Sequence, residues 1–199
     1  MIMNFSKTII SASMAAIFAS TAAVALAEPV AYQVDPTHTF ANFSYEHLGL
    51  SRQNNTFNNT TGVLILDLEK KTGKLDIEID LLSVNTGADI FNEHLQGPDF
   101  FDTENHPTAF FESNEVIFNG DEPIAVEGEL RIKGITQPVT FVLDHYVQTE
   151  HPMLKRPVVG ANAHTKVKRS DFDMDKYVPA ISDEVTITVS FEGIAQDED

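Results

Sequence analysis

Alternation of apolar and polar residues recurs along most of this chain, and it admits few folds. Leu75, Ile77, Ile79 and Leu81 alternate with Asp76, Glu78 and Asp80. Val126, Gly128, Leu130 and Ile132 alternate with Glu127, Glu129, Arg131 and Lys133. Val185, Ile187, Val189 and Phe191 alternate with Thr186, Thr188, Ser190 and Glu192. A period of two gives each segment one apolar and one wet face, the mark of an antiparallel sheet. Further strands are expected at 30–34, 39–47, 62–68, 107–118, 136–147 and 158–169, with turns at Lys71-Thr72-Gly73, Asn119-Gly120-Asp121 and Gly134 to Pro138. Helical periodicity is confined to a short stretch near 88–96.

About eight long strands with a single apolar face leave a two-sheet sandwich or a closed barrel. Several of them exceed the usual five or six residues, and closure removes the exposed edges of long strands. The expectation is an all-β chain forming an extended antiparallel eight-stranded barrel. Asp89 to Phe101 should form a short helix and loop over one end. Such a barrel is filled by its own side chains or holds one small ligand. A strand of about 11 residues spans about 36 Å, and a tilt near 40° leaves roughly 28 Å of barrel height. Those proportions suit a long thin ligand.

The first 27 residues read differently. Met1 to Lys7 carries one positive charge, Thr8 to about Val24 is apolar, and Ala25-Leu26-Ala27 precedes Glu28-Pro29. This is the layout of a secretory signal peptide cleaved after Ala27, so a periplasmic location is expected. Residues 28–199 then form one domain ending in the acidic tail Gln196 to Asp199. No second apolar run is long enough to span a bilayer.

Composition narrows the chemistry. The chain has no Cys, which removes thiol catalysis, disulfides and Cys-based metal sites. Its formal charge of −17 becomes −18 once Lys7 leaves with the leader, which argues against non-specific binding of nucleic acid or anionic membranes. No His-x-x-x-His pair accompanies a helical Glu, so no metal centre is expected; His94 with Asp99 and Asp102 is the nearest approach to one. No Gly-x-Ser-x-Gly elbow occurs, so nothing in the sequence supports catalysis.

Several blocks carry a resemblance. Asp35-Pro36-Thr37-His38-Thr39 leads into Phe43-Ser44-Tyr45-Glu46-His47-Leu48-Gly49. Ser83-Val84-Asn85-Thr86, Glu93 to Asp102 and His106 to Ser113 follow, then Gly128 to Val139 and Lys168 to Met174. In this order they resemble the YceI-like family of exported proteins over residues 30–195. The resemblance implies a lipocalin-like barrel whose pore binds a long-chain lipid, a polyisoprenoid or an isoprenoid quinone. It also implies transport, storage or stress-protection roles, and a second copy of the chain as a candidate partner. Three departures stand out. Asn55 precedes Phe57 where the family tends to have Gly, Phe91-Asn92 stand where Arg-Asp is usual, and Phe172-Asp173-Met174 replaces Phe-Gly-Met.

Extending the alternation through 39–47 places Ala41, Phe43, Tyr45 and His47 on one face, assigned to the interior. Tyr45 and His47 are candidate polar handles for a lipid head group. The apolar wall is expected from Phe43, Ile77, Ile79, Phe111, Leu130, Phe141 and Val189, with Leu95, Phe100 and Phe101 forming a greasy rim at the helix-covered mouth. No cofactor is expected beyond the lipid itself. Two alternatives stay open: an accessory enzyme or electron-transfer partner acting on an isoprenoid quinone, and a structural protein with a filled barrel. The basic stretch Lys155, Arg156, Lys166, Lys168 and Arg169 is expected to pair across strands with the acidic majority.

Overall fold

A computed structural model describes residues 28–196, so the expected leader and the end of the acidic tail lie outside the described residues. Eleven strands follow one another: β1 (Val30–Val34), β2 (Phe40–His47), β3 (Ser51–Phe57), β4 (Thr60–Asp67), β5 (Thr72–Asp80), β6 (Val84–Asn85), β7 (Thr108–Asn119), β8 (Glu122–Ile132), β9 (Ile135–Glu150), β10 (Pro157–Lys168) and β11 (Glu184–Ala195). One helix, α1 (Asp89–Gln96), lies between β6 and β7, and short 3₁₀ turns occupy Leu81–Ser83 and Arg169–Phe172.

The ring runs β1-β4-β5-β7-β8-β9-β10-β11 and closes through β1 pairing with β11, eight strands, all antiparallel. The expected eight-stranded barrel is therefore the fold. Two staves are broken: β2 continues β1 along β11, and β3 continues β4 beside β2. β11 changes partner between Ser190, paired with Phe40, and Gly193, paired with Val34. Thr39 bridges that break, its hydroxyl accepting from the Glu192 N–H at 3.0 Å and donating to the Glu192 carbonyl at 3.2 Å. The Glu192 carbonyl also accepts from the Asp35 N–H at 2.9 Å, so it is the Glu192 N–H that this side chain keeps paired where the ring closes.

The alternation fixes which face turns inward. Gly128, Leu130 and Ile132 are buried while Glu127, Glu129 and Arg131 are exposed. Gly128 meets a specific demand: a Cβ there would stand 2.4 Å from the Glu112 carbonyl oxygen and 2.8 Å from the Phe111 ring. That ring fills the space and meets Phe141 edge-on at 5.1 Å. Two apolar clusters stack along the axis. One, around Leu81, Leu95, Phe111 and Phe172, lies toward α1; the other, around Tyr32, Leu66, Val159 and Phe191, lies toward the opposite end.

β3 is the strand that the apolar pattern does not reveal. Its inner positions Gln53, Asn55 and Phe57 pair with Tyr45, Phe43 and Ala41 of β2, so two of three are polar. The basic stretch divides into different roles. Lys166 of β10 meets Glu184 of β11 at 2.7 Å, the cross-strand pairing expected, whereas Lys155 meets Glu150 at 3.6 Å from the turn between β9 and β10 and Arg156 donates to the Ala195 carbonyl. Arg169 instead turns inward and is buried. Among the described residues, no helix is long and apolar enough to cross a membrane.

Candidate ligand cavity

The barrel is not filled by its side chains. A cavity of about 320 Å³ extends from α1 toward the far end, between Tyr177 and His94 on one side and Leu66 and Val159 on the other. All twelve residues singled out from the sequence face it: Phe43, Tyr45, His47, Ile77, Ile79, Leu95, Phe100, Phe101, Phe111, Leu130, Phe141 and Val189. Sequence reasoning missed the larger share of the wall, including Phe57, Phe91, Leu64, Phe172, Met174 and Ile187. Ile187 and Leu64 follow from the same alternation. Phe57 and Phe91 do not, because one ends a polar strand and the other sits on a helix. Nine of the Phe residues after the leader line the cavity.

Aromatic side chains tie the wall to the segment that covers it. Phe43 and Phe57 lie 5.4 Å apart on adjacent strands, and Phe101 meets Phe57 edge-on at 5.4 Å and Phe43 at 5.9 Å. Leu95 and Phe101 are buried beneath α1, whereas Phe100 is only part-buried. The His94 ring stacks on Phe91 at 5.9 Å and packs against Phe100 at 4.9 Å, and Phe100 reaches Tyr177 at 6.5 Å. His94, Asp99 and Asp102 therefore do not form a ligand set: Asp99 pairs with Lys176, and Asp102 accepts from the Asn105 amide at 3.0 Å. Asp35, His38 and Glu192 come together elsewhere, at the broken stave, where Asp35 accepts from Thr37 and bonds to the His38 ring at 2.8 Å.

The helix is anchored rather than loosely laid over the opening. Asn92 Oδ1 accepts from both the Thr86 N–H and the Thr86 hydroxyl at 2.8 Å. The amide at this position thus works as an acceptor, which a carboxylate also provides. Its neighbour Phe91 contributes an aromatic ring to the cavity instead of a charge.

Polar lining groups concentrate at the α1 end: Tyr45, His47, His94, Arg169 and Tyr177. Burial raises the Tyr45 phenol above its usual value, opposed by the Asn55 amide and the Arg169 charge, so it stays a neutral donor at physiological pH. Asn55 is buried on the inner face of β3, its amide beside the Tyr45 phenol. Burial also weakens the proton affinity of Arg169, opposed by Asp183 and Asp175, yet a guanidinium remains charged. Its donors go to the Ser182 carbonyl at 2.9 Å, the Ile181 carbonyl at 3.2 Å and the Met174 carbonyl, which straps residues 173–183 across the barrel end. At the opposite end the Tyr146 hydroxyl donates to Gln148 Oε1 at 3.3 Å, and burial beside Tyr32 pushes its phenol up to about 12.

The bore is apolar for most of its length, with hydrogen-bonding groups most numerous at the α1 end, an arrangement that fits an amphiphile.

Similarity to known proteins agrees with this architecture. The profile of the YceI-like domain matches residues 32–193. Protein YceI of Escherichia coli O6:H1 is 32% identical over 168 residues, covering 83% of this chain and 87% of that protein. Among solved structures, Burkholderia cenocepacia BcnA superposes with a TM-score of 0.69 at 22% identity, covering 80% of this chain and 98% of BcnA. A polyisoprenoid binding domain from Saccharophagus degradans superposes with a TM-score of 0.62 at 19% identity, covering 84% and 99% of the two chains.

Proposed function

Because the chain belongs to the YceI-like domain family, we propose that it is an exported binding protein that encloses a long-chain isoprenoid lipid, without chemistry. The observation that carries this reading is the cavity of about 320 Å³, mostly apolar and with its polar groups most numerous at one end. A hydrocarbon chain gains about 25 cal/mol for each Å² withdrawn from water, and a Phe-lined bore gives it close contact without asking for hydrogen bonds. The lipid enters tail first, so that its head group rests among Tyr45, His47 and Arg169 beside α1. A polyisoprenoid or an isoprenoid quinone meets these requirements, and the name of the Saccharophagus degradans domain supports the former.

The reading includes export to the periplasm, on the strength of the leader at residues 1–27. There a water-soluble coat around a greasy bore serves transport, storage or protection of a lipid between membranes.

Displacement of a bound hydrophobic dye tests the reading. A polyprenol or a long-chain quinone should displace the dye at stoichiometric concentration, and a short prenol with the same head group should do so far more weakly. Equal displacement by short and long chains would contradict it, because the bore would not be reading chain length.

A further inference from the structure

Large apolar side chains are exposed to solvent close in sequence to residues that line the α1 end of the cavity, His47, Phe91 and Tyr177. Leu50 is 80% exposed and Leu48 52% exposed at the tip of the β2–β3 hairpin. Ile90, at the start of α1, is 82% exposed, and Tyr177, on the strap, is 53% exposed. The strap meets the hairpin and the segment that follows α1 at one end of the barrel. The Leu48 N–H donates to the Ala180 carbonyl at 3.0 Å, and Tyr177 lines the cavity against Phe100 of the segment after α1. Isolated exposed leucines need no explanation, but a set converging from separate elements on the mouth of an apolar cavity does.

We infer that this rim is a docking surface for a lipid bilayer, and that the barrel exchanges its ligand while seated on it. This rests on the lipid-binding reading above. A long hydrocarbon crossing water between membrane and barrel would lose the apolar contact that retains it in either place. A rim continuous with the cavity wall gives it an apolar route.

Charge defines which bilayer. The cations flanking the rim are already paired, Arg52 with Glu46 at 2.8 Å and Lys176 with Asp99. Exposed Asp89 and Glu93 lie on α1 beside Ile90. No electrostatic attraction to anionic head groups is built in, so the surface fits an uncharged or zwitterionic bilayer and its docking is insensitive to salt.

Flotation with phosphatidylcholine vesicles tests the inference. The protein should float with them, equally at low and high salt. The double variant Leu50→Ser with Ile90→Ser should float on the order of tenfold less, since two inserted side chains are removed. Met153→Ser with Leu154→Ser serves as a control, because these residues are 82% and 51% exposed in the turn between β9 and β10, at the far end. That variant should float like the unaltered protein. Transfer of a pyrene-labelled polyprenol from donor to acceptor vesicles should fall in the rim variant, while its uptake of the same probe from detergent solution stays unchanged. Equal flotation of rim variant and control would overturn the docking surface. So would concentration-dependent dimerisation abolished by the rim variant, since the rim would then join two copies. Failure of the unaltered protein to take up the probe from detergent would overturn the lipid-binding reading, a separate outcome.

Discussion

In sequence Arg169 closes a run of surface lysines, yet its guanidinium is buried and bonds three backbone carbonyls of the segment that follows it. Met keeps most of its volume and none of its donors. Arg169→Met should cost about 2–4 kcal/mol, because charge-assisted hydrogen bonds are lost together and their acceptors left behind. Equilibrium urea unfolding measures this, and limited proteolysis should find a new cut within 173–183; an unchanged midpoint would show that the strap holds without the clamp. Asp35 and His38 make a different kind of pair at the broken stave. Hydrogen bonds from Thr37 and His38 hold the Asp35 carboxyl down to about 2, against burial. Its folded value lies below the unfolded one of about 4, so its contribution is complete above that pH and lost as pH falls through 2. His38 is raised by Asp35, so its contribution is complete below the ordinary value of about 6.5 and lost as pH rises through the folded value. Asp35→Asn should flatten both limbs of the profile of Tm against pH. A variant curve parallel to the unaltered one would contradict this assignment.

Among the elements, β10 shows how the bore sets its own width. Ala161 and Ala163 line the cavity where β11 presents Phe191 and Val189 in register. Ala163→Phe should leave the melting temperature within a few degrees, since the ring has open space to enter, and should cut long-chain lipid binding on the order of tenfold or more. Isothermal titration with a polyprenol in detergent reads the loss; undiminished binding would mean that the chain does not pass this level. β5, β8 and β11 were legible because each alternates around an apolar core, and α1 because its period changes to that of a helix. β3 was not legible. Strand membership there is decided by pairing with β2, while Gln53 and Asn55 put polar groups inside. The site divided the same way. Most of the residues found lie on alternating strands, and Leu64 and Ile187 share that alternation; Phe91, on α1, and Met174 and Tyr177, on the irregular strap, have no local period to mark them.

At the scale of the whole molecule, the acidic composition becomes a coat. Glu112 lies directly opposite both Asp76 and Glu129, and Glu115 opposite Glu127, on the outer face of β5, β7 and β8. Like charges so placed oppose folding slightly and keep barrels apart in solution. With no disulfide available, closure of the ring and the packing of two apolar clusters hold the structure. The cavity between them is the feature that separates a carrier from a filled structural barrel. Native mass spectrometry of the protein purified without detergent, followed by organic extraction, measures its content directly. A single additional mass per chain that extracts as a long-chain isoprenoid is the result expected here. A protein that is lipid-free as purified, and that gains no mass when offered a polyprenol or a long-chain quinone, would contradict the account.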